Sequence, residues 1–307
     1  KFTNLFDLVP QKKKVISKIV SLIKNSKFVG GEEVNILEKN FAKFVKVNNC
    51  ITVANGTDAL EIAISSLKLK KGSEIIVPNN TWISTAEAVM TNNHKVKFCD
   101  VNLDDYTLCL KDLKKKISKK TKAIMAVHVL GNSTNMDLLK NIVNKNKFYL
   151  IEDTCESLGS KFGNKFLGNF GNFGTYSFYY SHQITSGEGG MIICNDKNDY
   201  NIIHALRAHG WDRGMKNNKK NFNFVNSGFN VRPSEISAAI GYNQFKRLNK
   251  FKKIRFKNRN KIITSLKNSN KWKNQFTFIE TVKKLQPSWF GLPILINKEF
   301  LSKKKKF

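Results

Sequence analysis

Residues 177–190 read Ser-Phe-Tyr-Tyr-Ser-His-Gln-Ile-Thr-Ser-Gly-Glu-Gly-Gly, a polar, glycine-punctuated loop between two apolar runs of strand length, 176–178 and 190–194. Upstream of it, short apolar runs at 51–54, 74–77, 96–99, 123–127 and 149–152 alternate with helix-like stretches at 58–67, 83–91, 110–117 and 136–143. This alternation predicts an α/β fold with a mostly parallel central sheet and helices on both faces. Before the first strand, 15–24 and 34–45 carry apolar residues at helical spacing (Val15, Ile16, Ile19, Ile23; Ile36, Leu37, Phe41, Phe44) and are expected to form two amphipathic helices.

Downstream, a helical pattern resumes over 233–248, with Pro233 suited to a first helical turn. From Phe251 the chain is strongly basic and helical, and a strand at 290–295 is expected to open a second domain. Residues 1–248 are therefore expected to form the large domain with its N-terminal helices, and 249–307 the start of a small C-terminal α+β domain. Residue 1 is not Met and the chain stops at Lys-Lys-Lys-Lys-Phe, so a fragment with a truncated small domain is expected.

The 307 residues, 41% of them hydrophobic, suffice for one large domain with a substantial core. Residues 1–10 lack the apolar core and small-residue cleavage site of a secretory leader, and no apolar stretch is long enough to span a bilayer. A cytoplasmic protein with no membrane partner is expected. Cys50, Cys99, Cys109, Cys155 and Cys194 are odd in number, with neither a CxxC pair nor metal-ligand spacing, and are expected to be reduced thiols. The formal charge is +30, but of 53 basic residues only six are Arg, and the 47 Lys are dispersed among abundant Asn. Arg is the better reader of bases and phosphates, so composition argues against a nucleic-acid partner, while a positive field suits an anionic substrate.

Several residues stand where a ligand would lie. Asn55-Gly56-Thr57-Asp58 follows a strand and opens a helix, so the Gly56 backbone, the Thr57 hydroxyl and free helix amides can cradle a phosphate; an ordinary capped helix start explains the same residues. Trp82 follows a strand end, where an indole can stack on a flat ring or simply fill the core. Asp153 ends the strand at 149–152, where its carboxylate can hold a protonated pyridine nitrogen or cap the next helix. Glu156 either faces the same ring or lies in solvent. His209 and Arg213, in the block 207–213, are candidates for substrate contact, with a surface loop as the alternative.

Taken in order, the blocks GTDAL, PNNTW, EDTCESLGS, SFYYSHQITSGEGG, LRAHGWDR and GFNVRPSEISAAIG resemble the DegT/StrS sugar aminotransferase family over most of residues 30–245. These are pyridoxal-phosphate enzymes of fold type I that act on nucleotide-linked keto-sugars. The resemblance implies that Gly56, Thr57 and Ser177 bind the cofactor phosphate, Trp82 stacks on its ring, Asp153 pairs with the ring nitrogen, and Asn230 reaches the phosphate of a neighbouring subunit in a homodimer. It also puts His182 where the family keeps the lysine that bonds the cofactor. An imidazole carries a proton but cannot form that covalent link.

His182 thus resembles the 3-dehydratase branch of the family. The branch implies use of the free pyridoxamine phosphate form, whose amine condenses with the 4-keto group of a nucleotide-linked sugar. His182 moves the proton as the C3 hydroxyl leaves, and glutamate is the amino donor that restores the amine. An iron–sulfur relative in this branch holds its cluster through C-terminal cysteines, and no cysteine follows Cys194 here. The alternatives are a sugar aminotransferase using some other lysine and, from another class, a non-catalytic basic binding protein.

Overall fold

Helix α1 (Lys12–Lys24) buries Val15 and Leu22, and α2 (Glu32–Val45) buries Val34, Leu37, Phe41 and Val45, one apolar stripe each. This structure is a computed structural model and describes residues 12–212 and 223–300. The first turn of α2 has no side-chain cap of its own. Instead the buried carboxylate of Glu235 accepts the amides of Gly31, Glu33 and Val34 at 2.8, 2.9 and 3.1 Å, satisfying donors that a helix N-terminus leaves open.

Strands and helices then alternate: β1 (Asn49–Val53), α3 (Gly56–Ser66), β2 (Glu74–Pro78), α4 (Ile83–Thr91), β3 (Lys95–Cys99), α5 (Leu110–Lys116), β4 (Thr121–Val127), α6 (Met136–Asn146) and β5 (Tyr149–Asp153). A hairpin of β6 (Lys161–Phe162) and β7 (Lys165–Phe166) precedes β8 (Phe173–Ser177), β9 (Gly190–Cys194) and α7 (Lys197–Leu206). After α8 (Glu235–Phe245) and α9 (Leu248–Lys267) come the short strands β10 (Phe276–Phe278), β11 (Leu285–Gln286) and β12 (Ile294–Ile296).

The main sheet has the order β1-β9-β8-β5-β4-β2-β3. Strands β8, β5, β4, β2 and β3 run parallel, and β9 pairs antiparallel with both β8 and β1. The mostly parallel α/β architecture expected from the alternation is therefore present. All five residues of β8 and of β9 are buried, as strands covered on both faces must be. Neighbouring residues feed different cores: Ile192 packs with Ile51, Ile62, Ile75 and Ile151, whereas Ile193 packs with Phe41, Tyr176 and Phe178. Each such side chain contributes about 1.5–3 kcal/mol of apolar burial.

Two local expectations are corrected. Pro233 lies outside α8, whose N-cap is Ser234, accepting the Ile236 amide at 3.2 Å; pairing of Ser234 with Val29 keeps this stretch extended. The strand expected at 290–295 shrinks to Ile294–Ile296, paired with β10. Pro293 has no N–H to continue a ladder, and the Phe290 amide donates instead to Leu130 O at 3.1 Å. The chain beyond α9 also returns to the body of the fold through β11, which pairs with β6. No helix among the described residues is long and apolar enough to cross a membrane.

Candidate active site

The carboxyl ends of parallel strands and the amino ends of the following helices converge on one crevice, because every right-handed crossover starts there. Asn55 caps α3, accepting the Asp58 amide at 2.9 Å. Next to it, a methyl group built on Gly56 would lie 2.8 Å from Ser177 Cβ and 3.2 Å from Cys155 Sγ. No larger residue fits, so the start of α3, the end of β8 and the segment after β5 are in contact. The Thr57 hydroxyl donates to Ser84 Oγ at 2.9 Å. Hydroxyls of Thr57, Ser84 and Ser177 thus gather around a helix N-terminus, an arrangement suited to an anion.

Asp153 is buried at the end of β5. Its Oδ2 accepts the Thr85 hydroxyl at 2.9 Å and its Oδ1 the Cys155 amide at 3.2 Å. No helix follows β5, so Asp153 is not a helix cap. Trp82, at the start of α4, is 77% exposed and is not a core residue.

His182 lies on the loop joining β8 to β9. Its amide donates to Tyr179 O at 3.0 Å, its ring centroid is 5.3 Å from that of Phe290 and 6.0 Å from that of Tyr179, and its Nδ1 is buried without a partner. Burial pushes the imidazole down to about 4, assisted by Arg255 and opposed by the Asp153 carboxylate, so the ring is neutral at pH 7. The Glu156 carboxylate accepts the Leu130 amide at 2.7 Å; burial and the Asp153 charge raise its proton affinity. The Glu156 carbonyl accepts from Gln183 Nε2. Glu156 is thus tied into the crevice wall and does not dangle in solvent. The lysines nearest His182 in sequence are engaged elsewhere: Lys165 Nζ sits 5.0 Å from the Phe170 ring and Lys197 Nζ 4.0 Å from that of Tyr200.

The sequence profile of the DegT/DnrJ/EryC1/StrS aminotransferase family matches residues 10–307. The chain belongs to this family. Among curated relatives it is 35% identical over 300 residues to GDP-4-keto-6-deoxy-D-mannose 3-dehydratase of Escherichia coli O55:H7, covering 92% of this chain and 76% of that protein. It is also 35% identical over 225 residues to GDP-perosamine synthase of Vibrio cholerae, covering 73% and 60%. Among solved structures, the E. coli 3-dehydratase with bound hydrated PLP superposes with a TM-score of 0.86 at 34% identity, covering 93% of this chain and 76% of that one.

Within this family member, one cluster unites Gly56, Thr57, Asp153, Glu156, Ser177 and His182, with the Trp82 indole standing free at the start of α4. His209 and Asn230 lie on a separate ribbon. His209 has a left-handed backbone (φ 62°) and its amide donates to Phe229 O at 2.7 Å; Asn230 is exposed, bridges Ala208, and its Oδ1 accepts from Arg232 at 2.8 Å. Neither is hydrogen-bonded to the Asp153–His182 cluster. Arg213 lies outside the described residues.

Sequence reasoning missed Thr85, Ser84 and the pair His128–Glu152. Thr85 and Ser84 sit immediately beyond the PNNTW block, on the first turn of α4, and their proximity to Trp82 was the available signal. Glu152 is fully buried, accepting from Gly168 N at 2.8 Å, Phe170 N at 2.5 Å and Gly171 N at 2.7 Å, with His128 Nε2 at 2.9 Å. Strand alternation turns it to the opposite face from Asp153, where it pins the loop before β8.

Proposed function

We propose that this protein is a pyridoxal/pyridoxamine-phosphate-dependent nucleotide-sugar 3-dehydratase, removing the C3 hydroxyl of a nucleotide-linked 4-keto-6-deoxyhexose in deoxysugar and lipopolysaccharide biosynthesis. The observation that carries this is His182: a neutral, half-buried imidazole with an unpartnered Nδ1, in a loop where no lysine occurs between Lys165 and Lys197.

The residues fit the cofactor. The space that Gly56 leaves open beside Ser177, together with the Thr57 and Ser177 hydroxyls, suits its phosphate; buried Asp153 suits a protonated ring nitrogen; the exposed Trp82 indole suits stacking on the ring. When bound as the amine, the group supplies a nucleophile for a 4-keto sugar and a conjugated ring that accepts an electron pair. Thr85 orients Asp153 so that its charge stays aimed into the crevice. The walls around Phe290 and Leu130 limit water. His182, neutral at pH 7, accepts a proton from the reacting centre and returns it to the departing hydroxyl.

Glutamate is proposed as the amino donor, and a homodimer as the working unit, with exposed Asn230 contributing to the partner's phosphate site. Residues 1–248 are proposed as the cofactor domain, and the cytoplasm as the location. The test is incubation with pyridoxal phosphate, glutamate and GDP-4-keto-6-deoxymannose. Release of 2-oxoglutarate with a deoxygenated sugar nucleotide, read by mass spectrometry, supports the proposal; a 4-amino sugar as product overturns it in favour of a sugar aminotransferase of the same family.

A further inference from the structure

A loop does not by itself hold a side chain to the tolerance that proton transfer demands. Within its own loop His182 has one backbone hydrogen bond, to Tyr179 O, and the edge of the Tyr179 ring. The other aromatic wall comes from far along the chain: the Phe290 ring, 5.3 Å away and tilted by 60°.

Phe290 is itself fixed from three sides. Its amide donates to Leu130 O at 3.1 Å. Arg255, reaching over from α9, donates through Nη1 to Trp289 O at 3.4 Å and Phe290 O at 3.2 Å, with its guanidinium 5.8 Å from the Phe290 ring. Just before it, the Ser288 amide donates to Ser160 Oγ at 2.8 Å, and Ser288 O accepts from Gln183, the residue after His182, at 3.4 Å. Leu130 adopts a left-handed backbone (φ 55°), a conformation that a leucine holds only where its surroundings enforce it. That conformation belongs to a turn whose amide serves Glu156 while its carbonyl serves Phe290.

We propose that Phe290 is a positioning residue for the reaction: its ring is the wall that orients the His182 imidazole and keeps water from it, and Arg255 and Leu130 hold that wall in place. The proposal rests on the reading of His182 as the proton carrier. The charged groups acting on His182 are Asp153 from β5, which favours its protonation, and Arg255 from α9, which opposes it; burial outweighs both. Removing the ring admits water and relieves the burial that keeps the imidazole neutral.

The experiment is an NMR titration of His182 in the full chain, assigned with His182→Gln, for the wild type and for Phe290→Ala, Phe290→Leu and Phe290→Tyr. In Phe290→Ala the titration midpoint is expected to rise by about one unit or more toward the ordinary ~6.5 of histidine. The acid limb of the kcat profile should move with it, and kcat should fall ~10-fold or more while KM for glutamate changes little. Phe290→Tyr should restore both. Phe290→Leu covers the case in which the alanine variant does not fold, with a smaller shift of the same sign. A folded Phe290→Ala or Phe290→Leu protein whose His182 titrates as in the wild type overturns the proposal. The titration does not depend on turnover, so a shifted midpoint with no deoxygenating activity in any variant would fault the dehydratase reading and leave the positioning role standing.

Discussion

Thr85 Oγ1 donates to Asp153 Oδ2 at 2.9 Å, and because its one hydrogen is used there, Thr81, 2.7 Å from the same oxygen, must be the donor in that second pair. A directed relay from Thr81 through Thr85 thus ends on the carboxylate at the tip of β5. Thr85→Val keeps the shape and removes the relay, so one carboxylate oxygen and one hydroxyl lose partners. A loss of about 1–3 kcal/mol is expected, together with weaker cofactor binding. Urea unfolding and absorbance titration check this, and an unchanged midpoint with unchanged affinity contradicts it.

His182→Gln keeps a polar side chain that cannot exchange protons near neutrality. Deoxygenation should fall by ~10²–10⁴-fold, with cofactor affinity changed far less. His182→Lys should instead permit covalent attachment, so that borohydride fixes cofactor mass irreversibly to the variant but not to the wild type. Intact-protein mass spectrometry reads both.

Burial also holds His204 down to about 4, with the Arg207 and Lys197 charges adding. For His182 and His204 the unfolded chain binds protons near ~6.5 that the folded chain does not bind until about 4. Stability therefore falls as pH drops through that window. Asp58 acts with the opposite sign: burial, then the Glu61 charge, raises its carboxyl to about 6, so its protonated form favours the folded state and that stabilisation is lost as pH rises through 6. Thermal melts at pH 5 and pH 7 should show His204→Gln losing less on acidification than the wild type, and Asp58→Asn losing more. Identical acid sensitivity in all three proteins would refute the assignment.

Glu152→Gln leaves one oxygen to accept from Phe170 N and Gly171 N, but turns an NH2 toward the Gly168 N–H and the His128 ring. The buried Gly168 donor therefore loses its acceptor, and the carboxylate charge is gone. A cost of roughly 3 kcal/mol or more is expected. Differential scanning calorimetry should show a large fall in Tm, and a shift within error would mean that the loop before β8 is held some other way.

Gly56→Ala forces a methyl group to within 2.8 Å of Ser177 Cβ and 3.2 Å of Cys155 Sγ. The cradle must open, so cofactor affinity should drop by ~10-fold or more, about 1.4 kcal/mol, measured by fluorescence quenching on titration with pyridoxamine phosphate. Wild-type affinity in this variant would remove Gly56 from the site.

Much of this was legible locally. The start of α3 announces itself in Asn55-Gly56-Thr57-Asp58, because a cap and its helix are neighbours in sequence. Asp153 is legible because an apolar strand that ends in a carboxylate has few other uses. Glu152, one residue earlier, was passed over since its partners, Gly168, Phe170, Gly171 and His128, lie on other segments. Phe290 was read as the start of a strand, for a ring in an apolar run looks the same whether it joins a ladder or leaves one. Arg255 was one cation among 53, and nothing in its neighbours marks it as the one that holds Phe290.

By itself, the order of residues determined the alternating architecture, and its motif blocks carried the family resemblance and, with it, the expectation that an imidazole stands in place of an amine at position 182. The architecture depends on periodicities of two and 3.6 residues and the resemblance on short blocks of side chains, both of which are written within a few positions. The tertiary structure decided which groups face His182, how dry its surroundings are, and which carboxylate points into the crevice. Those properties arise from strand order and from contacts between segments a hundred or more residues apart, where dielectric and geometry are set by packing.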